Sequence, residues 1–134
     1  MDLMQSMNTS ATGMRAQSTR MNVISENIAN AQSVISEDGG PYRRQLVFFQ
    51  AVQNAQGGEE VKVARVQKDY QTPLKMQYDP THPLADERGF VAMPNVSTHL
   101  ENADMREASR AYEANMSAIT TAKEMMQRSI DILR

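Results

Sequence analysis

Residues 7–28, MNTSATGMRAQSTRMNVISENI, set Met7, Met14, Met21 and Ile28 seven positions apart. Residues 105–133, MREASRAYEANMSAITTAKEMMQRSIDIL, do the same with Met105, Tyr112, Ile119, Met126 and Leu133. Seven residues are almost two helical turns, so each ladder draws one narrow apolar seam along a helix. A long helix with a narrow seam cannot bury itself alone. The ladders stand at opposite ends of the chain, which predicts that the two ends pair with each other, or with copies in an assembly. The ladder residues are therefore the candidate assembly seam.

Outward from the seams, the N-terminal helix is expected over roughly 3–33. Gly13 weakens it locally, by about 1 kcal/mol relative to Ala. Its remaining surface is rich in Ser, Thr, Asn and Gln, with charge only at Arg15, Arg20 and Glu26. Such a face suits a helix surrounded by protein in an assembly, and one that is marginal when alone. The second helix is expected from 97 onward. Its seam is bordered on one side by small or polar Ala108, Asn115, Ala122 and Ser129, which would let another helix approach closely. On the other side lie Ser109, Met116, Lys123 and Ile130. Both helices come to roughly 45–50 Å at 1.5 Å per residue, which favours antiparallel or hairpin-like pairing.

Between them, Asp38-Gly39-Gly40-Pro41 breaks the helical pattern. Leu46, Val47, Phe48, Phe49 and Val52 predict a strand, Asn54 to Gly58 a turn, and Val61, Val63 and Val66 a second strand. A lone hairpin is marginal in water, so this one must pack on a helix or on a neighbouring subunit. Residues 70–96 carry Pro73, Pro80, Pro83 and Pro94 and predict an extended tether, with a short strand near Phe90 to Met93. The expected fold is mainly α: long terminal helices pairing as a coiled-coil-like domain, with a small β-hairpin and a Pro-rich extended loop between. The divisions are 1–33, 34–96 and 97–134, the first and third forming one domain.

Composition narrows the function. The 134 residues carry a net charge of -2, include 11 Met, and hold no Trp and no Cys. Aromatics are 5% and the mean hydropathy is -0.56, so a dense globular core is not expected. Lys and Arg are scattered and build no basic field for nucleic acid. Without Cys there is no disulfide framework, thiolate metal site or Cys nucleophile. The first ten residues lack the basic and apolar regions of a general secretory signal. No stretch has the ~18 apolar residues of a membrane span. Without a dedicated exporter the chain would stay in the cytoplasm.

No catalytic constellation is present. His82 and His99, the only imidazoles, have no carboxylate at ligand spacing. Ser97, His99 and Asp104 include the residue types of a triad but lack a nucleophile elbow. Asp79, Asp86 and Glu87 lack the spacing of a calcium loop. Gly39-Gly40 and Gly57-Gly58 lack the Lys-Ser/Thr of a phosphate loop. No cofactor, metal or small-molecule substrate is expected.

Six stretches resemble bacterial flagellar axial proteins, the rod, hook and hook-associated components. Ser25-Glu26-Asn27-Ile28-Ala29-Asn30-Ala31 is similar to their N-terminal signature, and Pro41-Tyr42-Arg43-Arg44-Gln45 to the stretch that follows it in rod members. Tyr78-Asp79-Pro80-Thr81-His82-Pro83, Gly89-Phe90-Val91-Ala92 and Pro94-Asn95-Val96 resemble the proximal-rod branch. Ala108-Ser109-Arg110-Ala111-Tyr112-Glu113-Ala114-Asn115 resembles the C-terminal signature. The signature residues carried over are Asn27, Ala29, Asn30, Tyr42, Asp79, Pro80, Pro94, Asn95, Arg110, Tyr112, Glu113 and Asn115. The chain departs from the family at Gln32-Ser33, where members often carry Thr, and at His99, Glu101, Asn102 and Asp104, where members tend to be more apolar.

The resemblance implies a non-enzymatic subunit of the periplasmic basal-body rod, a hollow shaft that transmits torque and passes exported subunits. It implies export by the flagellar type III apparatus, and partners that are copies of itself and rod proteins of the FlgB, FlgF and FliE type. Distal rod and hook members usually insert larger domains between the helices than residues 34–96 allow. A cytoplasmic coiled-coil adaptor or export chaperone is the alternative from another class.

Overall fold

The structure, a computed structural model, describes residues 3–133. Residues 1, 2 and 134, which the expected divisions 1–33 and 97–134 include, lie outside the described residues. The elements run α1 (Leu3–Ala29), β1 (Gln45–Gln53), β2 (Glu59–Lys68), β3 (Lys75–Tyr78), β4 (Phe90–Met93) and α2 (Thr98–Ile132).

The helices pack antiparallel along each other. Asn27 near the end of α1 bonds Glu101 at the start of α2, while Gly13 meets Asn115 further along. Small residues set how closely they approach. Gly13 and Ala16 are buried on α1, and Ala108 and Ala122 on α2. A Cβ at Gly13 would stand 3.0 Å from the Asn115 amide nitrogen, so the glycine is where α1 lets α2 in. The pair is uneven. The 35-residue α2 outlasts the 27-residue α1. In the register set by 27 against 101 and 13 against 115, the last turns of α2 run past Leu3 and leave Ile130, Ile132 and Leu133 exposed.

The first hairpin, β1 with β2, lies on α1. Its tip is closed by Asn54, whose side-chain oxygen accepts from the N–H groups of Gln56 (3.1 Å) and Gly58 (2.8 Å). Thr9 donates to the Glu59 carbonyl at 2.6 Å, and Thr12 accepts from the Val61 N–H at 3.1 Å. The hydroxyl-rich face of α1 thus holds its own chain's hairpin. The pairing shifts register between Phe48 and Phe49, opposite Arg65 and Val63. The intervening Ala64 forms a bulge, and both phenylalanines stay partly exposed.

The expected fold needs correcting in two places. Residues 70–96 are not a Pro-rich extended loop. They hold a second antiparallel pair, β3 with β4, in which Lys75 faces Met93 and Tyr78 faces Phe90. The prolines lie outside the ladder: Pro73 before β3, Pro80 and Pro83 in the connection, Pro94 after β4. Lacking a backbone N–H, they mark strand ends without preventing the strands. The connection is ordered by two carboxylates. Asp79 accepts from the Thr81 N–H and hydroxyl, at 3.1 and 2.7 Å. Asp86 accepts from the N–H groups of Arg88 and Phe90, at 2.9 and 2.8 Å. Gly89, at φ +80, lies against the Tyr78 ring and Pro80, where a Cβ would stand 3.0 and 3.1 Å from them. Nor is the chain mainly α. Helices of 27 and 35 residues leave more than half of the 134 outside helix, and two small sheets make the class mixed α and β.

Candidate assembly site

Three of the signature residues, Asn27, Tyr42 and Asn95, meet at a buried junction where α1, β1 and α2 converge. The local cause is strand geometry. The Asp69 N–H donates to the Arg44 carbonyl at 2.8 Å, so Gln45, the next residue, turns its N–H and C=O away from β2. Asn27 fills the place of a missing strand. Its oxygen accepts from the Gln45 N–H and the Tyr42 hydroxyl, both at 2.9 Å. Its amide donates to the Gln45 carbonyl at 3.0 Å and to Glu101 at 3.1 Å. All four hydrogen-bonding positions of an asparagine side chain are then used, as its 1% exposure demands. Burial pushes the Tyr42 phenol above its ordinary pKa, keeping it the protonated donor this arrangement needs.

Glu101, fully buried, is the charged centre. Its second oxygen is bound by Arg44, whose guanidinium also reaches Asp104 at 3.1 Å. Arg20 of α1 lies 3.7 Å from Asp104 and 3.6 Å from Glu107. A buried ion pair adds little net stability, yet removing one partner strands the other. Its value here is register, since only one sliding position of α2 on α1 satisfies Glu101. Asn95 extends the junction to the second sheet. It accepts from the Arg44 N–H at 2.8 Å and donates to the carbonyls of Asp69 (3.0 Å) and Thr72 (3.1 Å). Asp69 in turn accepts from Thr72 and Gln71, and the Thr72 hydroxyl foremost holds its carboxyl below the usual range.

The other signature residues are placed variously. Pro94 is buried beside Asn95. Asn30 donates to the Glu26 carbonyl at 2.9 Å where α1 ends. Asp79 and Pro80 shape the β3–β4 connection, and Asn115 sits at the helix crossing. Ala29, Arg110 and Glu113 are exposed. Along the seam, Met7, Met14, Met21, Ile28, Met105, Tyr112, Ile119 and Met126 are half-buried and Leu133 is exposed. The deepest line on α2 is the neighbouring ladder, Glu101, Ala108 and Ala122. Glu101 and Arg44 escape a reading by polarity, because acids and bases ordinarily signify solvent. The available signal was spacing, since Glu101 is seven residues before Ala108 on the small-residue ladder.

Among the described residues no cluster of His, Cys, Asp or Glu could hold a metal ion, and no helix is long and apolar enough to cross a membrane. The family described as Flagella basal body rod protein matches residues 7–34, covering most of α1 with Asn27. The one described as Flagellar basal body rod FlgEFG protein C-terminal matches residues 87–132, covering Asn95, Glu101 and α2. Three relatives align end to end, each called flagellar basal-body rod protein FlgC. That of Borreliella burgdorferi is 41% identical over 100% of this chain and 99% of its own. That of Aquifex aeolicus is 42% identical over 98% and 97%. That of Salmonella typhimurium is 42% identical over 98% of both. The chain belongs to the flagellar basal-body rod protein FlgC family. It is a structural subunit of the rod of the flagellar basal body. Membership in this family sets aside the adaptor or chaperone reading.

Proposed function

We propose that the paired helices, as one domain with divisions near 1–33 and 97–134, polymerise into the wall of the rod. The rod would then be a hollow periplasmic shaft that transmits torque and passes exported subunits. The observation that best supports this is that pairing with α1 leaves large apolar side chains of α2 uncovered. Glu101, Ala108 and Ala122 close on α1, while Met116 and Ile130 on one flank and Met125, half a turn from Met116, remain 47%, 62% and 54% exposed. Exposed apolar side chains on more than one flank are a liability for an isolated molecule and an asset for a packed one. The half-buried seam residues can contact both α1 and a neighbouring subunit.

The partners on this reading are copies of the chain and rod proteins of the FlgB, FlgF and FliE type. Delivery is by the flagellar type III apparatus without a cleaved signal. Imaging basal bodies by electron cryo-tomography in motile cells deleted for the gene, with and without its restoration, tests the role. Rings without a completed rod or hook, rescued by restoration, are expected. Complete rods and hooks in the deletion strain would reject a required role.

A further inference from the structure

The first hairpin is fastened in two different ways. Its inner half is clamped from within the fold. Gln45 is held by Asn27, Arg44 by Glu101 and Asn95, and the Asp69 N–H closes on the Arg44 carbonyl. Val23 and Ile24 of α1, which border one cleft with Leu46 and Val47, are buried. The outer half, from the bulge at Ala64 to the tip, is held on α1 by hydrogen bonds near solvent. The Gln5 amide donates to the Gln56 carbonyl at 3.1 Å, the Asn8 amide to the Glu60 carboxylate at 2.8 Å and the Thr9 hydroxyl to the Glu59 carbonyl at 2.6 Å. The Val61 N–H donates to the Thr12 hydroxyl oxygen at 3.1 Å. Open clefts of about 350 and 450 Å³ interrupt this contact, the first lined by Ala16 and Val63, the second by Thr9 and Gly57.

We infer that this outer half is a hinged strap, which lifts off α1 as one unit while the inner half stays clamped. The bonds that fasten it lie where water can replace them, so each contributes little to closure. Lifting strands no buried charge, and it leaves the pairing from Phe49 with Val63 to Gln53 with Glu59 intact. The bulge supplies the hinge, because an unpaired residue already bends the strand there. Segments with few buried apolar contacts and solvent-exposed hydrogen bonds open at a lower cost than the whole fold. Once the strap is lifted, Gln5, Asn8, Thr9 and Thr12 on α1 present their amides and hydroxyls outward. The first half of α1 can then exchange its own hairpin for another protein surface without disturbing the bond between Asn27 and Glu101. The hairpin thus joins a contact that can be traded to one that fixes the register of the helices.

Hydrogen exchange of the purified full-length chain, read amide by amide by NMR, tests the strap. The Val61 N–H reports lifting, because it points out of the ladder to Thr12, and the Asp69 N–H reports the clamped half. As urea is raised through low concentrations, the Val61 rate should hardly change while the Asp69 rate climbs steeply, since lifting exposes little surface. Thr9→Val leaves the Val61 bond in place and removes a separate fastening. It should speed Val61 exchange about fivefold, because a strap that moves as a unit loses part of its closure wherever a bond is cut. Equal urea slopes for Val61 and Asp69 would mean that the outer half opens only with the whole fold. A Val61 rate unchanged by Thr9→Val would mean that this amide opens alone. Either result overturns the strap, and because both are read on the isolated chain, neither bears on the rod role.

Discussion

Replacing Asn27 with Ala tests the junction most directly. The amide binds four groups, and its loss takes a partner from each. The Tyr42 hydroxyl keeps a contact with the Gln45 side chain at 3.3 Å, and Glu101 keeps Arg44. The N–H and C=O of Gln45 keep nothing, because strand geometry points both away from β2. A buried polar group left unsatisfied costs about 1–3 kcal/mol, so these two alone set a scale of about 2–6. Water entering the vacated space returns part of that, and the expected loss is about 3 kcal/mol. Urea unfolding of the purified full-length chain, followed by far-ultraviolet circular dichroism, reads this as a midpoint lowered by about 1–2 M. Asn30→Ala, which removes a bond to the Glu26 carbonyl and one from the Ser33 hydroxyl where α1 ends near solvent, serves as the control and should cost about 1 kcal/mol or less. A loss below about 1 kcal/mol for Asn27→Ala would refute the reasoning, because water or a shifted Gln45 would then satisfy the junction as well as the amide does.

Four further outcomes are expected. Gly13→Val should destabilise by about 1–3 kcal/mol in the same assay, because the branched side chain meets Asn115 at the helix crossing, and Asn115→Ala in the same chain should recover part of it. Thr72→Val removes the foremost hydrogen bond that holds the Asp69 carboxyl low. A depressed carboxyl stabilises the fold above its unfolded pKa near 4, and that contribution is lost as pH falls through the folded value. The variant should therefore show its largest deficit at neutral pH and a shrinking one as acid protonates the carboxyl, with the Asp69 carboxyl titrating upward by NMR. Ile119→Asp should prevent rod incorporation, read as lost swimming and as absence of the chain from purified basal bodies; normal swimming would sink its place in the seam. His82→Ala should leave swimming intact, since its ring accepts the Leu84 N–H and neighbours Asp79 within the exposed β3–β4 connection.

Much of the architecture was legible because it depends on repetition. Two helices follow from the seven-residue ladders, and the first hairpin from valines on either side of a glycine-rich turn. What the ladders did not reveal is which line goes deepest. Bulky Met draws the eye, but helices approach most closely where side chains are smallest, so Gly13, Ala16, Ala108 and Ala122 lie innermost and the methionines stand on the shoulders. β3 was illegible for a different reason. All four of its residues are exposed, so burial imposes no alternation on them, and the flanking prolines read as a tether. The junction was hidden in its chemistry. Signature resemblance singled out Asn27, Tyr42 and Asn95 and carried Arg44 within the 41–45 stretch, but Glu101 stood only as a departure from the family, and the geometry is what places them together.

The antiparallel pairing also has a consequence in time. Asn27 and Glu101 are separated by 74 residues, and every contact of α1 with α2 joins the first part of the sequence to the last. Such closure is slow and cannot start from the first half alone. A chain emerging first residue first, from a ribosome or a narrow conduit, holds an α1 with no mate until nearly everything has followed. It therefore stays pliable for the whole of its passage. Completion acts as its own inspection: a molecule cut short before Glu101 lacks the latch, and one cut short after it lacks the projecting end.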